Sequence, residues 1–67
     1  MNATINGKPQ NLEDGQTLEV LLRSLGIDAA TGIAVAVNAR VVRRGAFAEH
    51  TLRDGDAVEI IRAVAGG

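Results

Sequence analysis

Leucines recur at positions 18, 21, 22 and 25, the i, i+3, i+4, i+7 spacing that gathers all four on one side of a helix. Thr17 stands just ahead of them as an N-cap, and Glu19 falls in the first turn, where the helix dipole favours an acid. Gly26 follows the last leucine, at the point where a left-handed residue commonly ends a helix. The acid that would complete a capping box is absent, because the third residue after Thr17 is Val20. The pattern predicts one helix that begins at Thr17 and buries four leucines.

On either side of the helix the period drops toward two. Ala3-Thr4-Ile5-Asn6 reads as a short strand, Gly7-Lys8 as a tight turn, and Gln10-Asn11-Leu12 as a returning strand, with Pro9 suited to a strand start or edge. Asp14-Gly15 breaks the chain before the helix, and residues 27–32 read as a loop after it. Ile33-Ala34-Val35-Ala36-Val37 is apolar on both faces, as a central strand should be, and its large residues at 33, 35 and 37 should face the helix. Asn38-Ala39 turns the chain into a strand at Arg40–Arg43. Ala46–His50 reads as a single helical turn that lays Phe47 on the edge of the core. After the Asp54-Gly55-Asp56 turn comes a last strand, Ala57–Ile61, with Val58 and Ile60 on one face and Glu59 and Ile61 on the other.

Hairpin, helix, hairpin, short turn and strand make an α+β arrangement. The order resembles a ubiquitin-like β-grasp, a mixed sheet of about four to five strands with one main helix packed across it. The last strand should lie between its neighbours. The expected core is Leu18, Leu21, Leu22 and Leu25 with Val35, Val58 and Ile60.

With 67 residues, the expected organisation is one domain over 1–67, ending in a flexible tail at about 63–67. The chain has no Cys, so disulfides and thiolate metal sites are excluded, and its single His50 lacks the partners for a zinc site. Only Phe47 is aromatic, which leaves the interior to aliphatic side chains. A net charge of −1 removes the electrostatic footprint of a nucleic-acid binder. The first residues have no basic and apolar leader pattern, and no apolar run approaches the roughly 20 residues of a membrane span. The expected location is therefore the cytoplasm, with neither nucleic acid nor membrane as a partner.

No side-chain constellation suggests catalysis. Asp54 and Asp56 flank a turn glycine, where such residues ordinarily hydrogen-bond their own backbone. His50 reads as a solvated or capping residue, and Arg43-Arg44 as a solvated pair that an acidic partner surface could meet. The tail differs. Glycine averages about 7% of residues, so two in succession at a given place occur about 0.5% of the time. A strand runs directly into Val64-Ala65-Gly66-Gly67, and side-chain volume shrinks along it. Residues without Cβ can enter a narrow channel in conformations closed to others. A terminal carboxylate, with a pKa of about 3.5, is ionised at neutral pH and can attack the α-phosphate of ATP to leave as an acyl-adenylate. A sulfur or nitrogen nucleophile can then take the acyl group. In that reading the chain is a substrate, and its partner is the enzyme.

The run Asp54-Gly55-Asp56-Ala57-Val58-Glu59-Ile60-Ile61, leading to Ala63-Val64-Ala65-Gly66-Gly67, resembles the C-terminal signature of ThiS, the sulfur carrier of thiamine thiazole synthesis. Asn38 with Val41-Val42-Arg43, the aromatic Phe47, and Asp14-Gly15-Gln16-Thr17-Leu18 ahead of Leu21-Leu22 resemble that family as well. The likeness covers nearly the whole chain. It implies a protein that is not itself an enzyme and holds no bound cofactor. An E1-like adenylating enzyme would consume ATP to activate Gly67, a sulfur donor system would convert it to a thiocarboxylate, and thiazole synthase would take the sulfur. Gly66, Ala65 and Val64 would form the slender tail, and the exposed end of the last strand, at Ile61 and Arg62, would meet the partner enzymes. Ala39 departs from the pattern, because a Gly or polar residue would turn more easily there.

Three other readings share part of the pattern. A carrier for molybdenum cofactor synthesis uses the same Gly-Gly chemistry, in chains that are typically longer. A ubiquitin-like protein modifier would be joined through Gly67 to lysines. An S4-like RNA-binding hairpin loosely matches Val37–Val42, against the charge balance.

Overall fold

The helix α1 spans Leu18–Ser24, with Thr17 as its N-cap: the Thr17 Oγ1 accepts from the Val20 N–H at 3.3 Å. Its C-terminus closes as the glycine at 26 suggested. Gly26 adopts φ +72°, its N–H donates to Arg23 C=O at 3.0 Å, and the Ile27 N–H reaches Leu22 C=O at 2.9 Å. Those two bonds are the double closure of a helix ending on a left-handed residue. Leu18, Leu21 and Leu22 are at most 1% exposed, but Leu25 is 36% exposed. The expectation of four buried leucines fails at the last one, because the helix stops at Ser24. Leu25 is its C-cap, and half-buried Ile27 packs against the core beyond it.

A computed structural model describes residues 1–28 and 32–62. The strands are β1 (Asn2–Ile5), β2 (Lys8–Asn11), β3 (Ile33–Val37), β4 (Arg40–Val42) and β5 (Ala57–Arg62). They form one mixed sheet in the order β2-β1-β5-β3-β4, with β1 and β5 parallel and the other neighbours antiparallel. The last strand is therefore central, as expected, and the fold is a β-grasp. Ala3, Ile5, Val35, Val37, Val58 and Ile60 share one core with the three helix leucines, Leu12, Phe47 and Leu52.

Local chemistry decides where the strands turn. Asn6 and Gly7 both have positive φ, +51° and +82°, and Ile5 pairs directly with Lys8. The first turn is thus Asn6-Gly7, one residue earlier than Gly7-Lys8. A two-residue hairpin turn of this hand needs two left-handed residues, and Asn and Gly tolerate that better than Lys. Pro9 lies on edge strand β2, as its missing N–H requires. Asn38 and Ala39 repeat the geometry between Val37 and Arg40, at φ +52° and +68°.

The helical turn near Phe47 also sits earlier than its pattern suggested. It is a 3-10 turn at Arg44–Ala46, continued by bonds from Glu49 and His50 N–H to Ala46 C=O. Phe47 is 3% exposed and belongs to the core, not to its edge. Its carbonyl and that of His50 accept from Glu19 and Leu18 N–H at 3.1 and 3.0 Å, so this segment satisfies donors that the first helical turn leaves open. The Asp54-Gly55-Asp56 turn is locked to neighbouring strands. Asp56 caps the Arg53 N–H, as a turn residue should, whereas Asp54 Oδ1 accepts from the Asn2 N–H of β1 at 2.7 Å.

Candidate functional site

The sheet presents two unlike faces because of the alternation along its strands. On the inner side Val35, Val37, Val58 and Ile60 meet the helix leucines. On the outer side Ile61 stands opposite Ala34, while Ala36 lies between Glu59 and Val41. The alanines are too short to cover their neighbours. Ile61 is consequently 62% exposed and Val41 79% exposed, two large apolar side chains above a floor of small ones. Apolar residues held out of the core in this way are candidates for a partner's surface.

Ile61 and Arg62 were expected to act together. Both are exposed, but the alternation puts them on opposite sides of β5: Ile61 shares the outer face with Ala34, and Arg62 lies opposite half-buried Ile33 on the inner side. Val64, Ala65, Gly66 and Gly67 lie outside the described residues.

β5 carries the chain toward those residues and is held along both edges. Toward β3 it is paired from Val58 through Arg62. Toward β1 the ladder covers only Ala57 and Val58, after which the Asn6 side chain takes over with two bonds to Ile60. At the start of the strand, Asn38 Oδ1 accepts from the Ala57 N–H at 2.9 Å, and its Nδ2 donates to Asp56 Oδ1 at 2.9 Å. The two asparagines that turn the hairpins therefore both grip the central strand. The sequence pattern marked Asn38 as a turn residue and as part of the family resemblance, and missed the part Asn6 plays. The left-handed turn signature Asn-Gly was the available signal.

A cleft of about 650 Å³ opens beside Arg40, His50 and Arg53, with Val37 and Val42 among its walls and the Asn38–Asp56 pair in its lining. It lies at the Ala57 end of β5, roughly 17 Å from Arg62 at about 3.3 Å per residue. Among the described residues no group of three or more His, Asp or Glu side chains could hold a metal ion. No helix among them is long and apolar enough to cross a membrane.

Known proteins similar to this chain in sequence and in fold agree with one another. The chain is 34% identical to the sulfur carrier protein ThiS of Escherichia coli (strain K12), over the full length of both. It is 40% identical to a thiazole synthase of Magnetococcus marinus, but spans only 20% of that relative's length. The crystal structure of a thiamine biosynthesis protein (ThiS) from Geobacter metallireducens superimposes with a TM-score of 0.85 at 38% identity, covering all of both chains. The ThiS family model matches residues 3–67, from the first strand through both tail glycines. A β-grasp whose central strand leads into Val64-Ala65-Gly66-Gly67, matched over its whole length in sequence and in fold, places the chain in the ThiS family of sulfur carrier proteins.

Proposed function

We propose that this chain carries sulfur on the carboxylate of Gly67 for the synthesis of the thiamine thiazole. The observation that supports this most is the central strand itself. β5 is paired on both sides, presents Ile61 outward, and feeds directly into residues 63–67. Five extended residues reach at most about 17 Å, enough to carry a carboxylate from the sheet into a partner's interior. An adenylating enzyme would place the α-phosphate of ATP in line with that carboxylate. Attack by the carboxylate oxygen expels pyrophosphate and leaves an acyl-adenylate. Hydrosulfide released by a donor system then attacks the acyl carbon and displaces AMP, so that sulfur replaces one oxygen on Gly67 as a thiocarboxylate. The carrier supplies reach, slenderness and a docking face, and the chemistry belongs to its partners.

That two thiazole synthases contain segments 40% and 36% identical to this chain supports thiazole synthase as the acceptor. The same likeness favours the thiazole route over molybdenum cofactor synthesis and over protein modification. Ile61 and its alanine floor form the docking face in this reading, and Arg62 contacts the partner from the other side of the strand.

Intact mass after incubation with the adenylating enzyme, ATP and a sulfur donor tests the proposal. One terminal oxygen should exchange for sulfur in the parent. A chain lengthened by one Ala after Gly67 displaces the carboxylate by about 3.6 Å. Productive attack needs the reacting atoms about 3–3.5 Å apart, so this variant should gain no sulfur. Gly66→Val should be blocked by its branched side chain in the channel. Both variants should melt with the parent. Sulfur uptake by the untrimmed, lengthened chain at the parental rate would refute the Gly67 assignment.

A further inference from the structure

The parallel ladder between β1 and β5 is short: Thr4 pairs with Ala57, Ile5 with Val58, and then β1 turns away at Asn6. The Asn6 backbone N–H still reaches Val58 C=O at 2.8 Å. Beyond that point its side chain replaces the missing strand. Oδ1 accepts from the Ile60 N–H at 2.8 Å, and Nδ2 donates to the Ile60 C=O at 3.3 Å. One amide plane thus offers β5 the donor and acceptor that a continuing backbone would have offered. Among the described residues it is the last restraint on β5 from this side, two residues before the strand ends at Arg62.

The arrangement asks for asparagine in two independent ways. The backbone at position 6 has φ +51°, which Asn tolerates better than most residues that have a Cβ. Gripping both polar groups of Ile60 needs a donor and an acceptor on one short side chain. Gly satisfies only the first demand. Asp meets the first but offers no donor when ionised. A common Asn-Gly hairpin turn explains the positive φ, but it does not explain two bonds to a residue 54 positions away.

We propose that Asn6 is a positioning residue for the tail: by clamping Ile60 it fixes the direction in which the end of β5 leaves the sheet. Without the clamp, Glu59 to Arg62 keep hydrogen bonds only to β3, and beyond the core contact of Ile60 the strand end is freer to swing. A tail that starts from a fixed direction has less to order when it enters a partner's site. Misdirection by about an ångström is costly where in-line attack is required. This inference rests on the carrier reading, because it concerns the delivery of the Gly67 carboxylate. The proposed docking contact is the Ile61 side chain, whereas the bonds of Asn6 run to the Val58 and Ile60 backbone. Loss of the clamp should therefore appear after docking, in kcat more than in KM.

The test uses the full chain with its adenylating enzyme, ATP and a sulfur donor, with sulfur uptake read by intact mass, for the parent, Asn6→Gly and Asn6→Asp. Gly keeps the left-handed turn and removes the clamp, while Asp keeps the acceptor and removes the donor. Native-state hydrogen exchange at the Ile60 N–H reports the clamp, and the Leu21 N–H in α1 reports global opening. For Asn6→Gly we expect Ile60 to exchange faster relative to Leu21. We also expect kcat to fall about tenfold with KM within about twofold, and Asn6→Asp to lie between this variant and the parent. Faster exchange at Ile60 with parental kcat would show a clamp that serves only the fold, and would overturn the proposal. So would a loss of kcat accompanied by equal loss of protection at Leu21. A parent that takes up no sulfur would overturn the carrier reading, and this inference with it. A parent that takes up sulfur at the same kcat as Asn6→Gly would overturn this inference alone.

Discussion

The two faces of the sheet carry similar residue types to different ends. Val58 and Ile60 on the inner face are 1% and 8% exposed, while Ile61, the next residue along the same strand, is 62% exposed. Hydrophobicity does not separate them. Their cross-strand neighbours and what covers them do. Inside, Val35 and Val37 are buried in one cluster with the helix leucines. Outside, Ala34 and Ala36 leave Ile61 and Val41 standing clear of the sheet. An apolar side chain is thus a stability element on one face and a surface available to a partner on the other.

Substitutions on the two faces should separate accordingly. Leu22→Ala removes a side chain only 1% exposed, and by lost transfer and cavity terms should cost about 2–5 kcal/mol in urea unfolding. A cost within measurement error would mean that the inner face is not the core. Leu25→Ala, at a helix C-cap 36% exposed, should cost about 1–2 kcal/mol in the same assay, in proportion to the area it buries. A loss equal to that at Leu22 would return Leu25 to the core.

The hairpin turn between β3 and β4 sharpens the contrast with a change of opposite sign. Ala39 sits at φ +68°, where a Cβ is strained and glycine is not. Ala39→Gly relieves about 1–2 kcal/mol of strain and returns about 0.4–1 kcal/mol through the freer unfolded chain. It should therefore raise the melting temperature by a net stabilisation of about 0.5–1 kcal/mol. A lowered Tm would place Ala39 in another conformation. The smallest stability effect belongs to the outer face. Ile61→Glu should stay within about 0.5 kcal/mol of the parent, as exposed substitutions usually do. On the docking face proposed above, the same variant should weaken binding to the adenylating enzyme by calorimetry, because it would put a charge at the proposed apolar contact. Collapse of the fold would show that Ile61 is covered, and unchanged binding would move the docking face elsewhere.

What could be read along the chain was whatever repeats at short range. The leucine spacing, the Thr17 cap, Gly26 and the alternation in Ile33–Val37 and Ala57–Ile61 each depend on residues a few positions apart, and each is present where the pattern put it, save that Leu25 falls past the end of the helix. The outward parity of Ile61 was legible for the same reason. The family resemblance of the tail was legible as sequence, since it rests on residue order.

The tertiary structure alone decided the rest. Leu52 is 1% exposed although it lies in a segment with no period to announce it, held by a bond from its N–H to the Gln16 C=O at 2.8 Å. Phe47 turns fully inward because its segment also caps the start of α1. Asn38 finds Asp56 18 residues away, and Asn6 finds Ile60 54 residues away. A turn propensity states that an asparagine can adopt a left-handed backbone, since that depends on its own atoms. What its side chain then holds depends on which strand the fold inserts beside it, and here the inserted strand comes last in the chain and lies at the centre of the sheet.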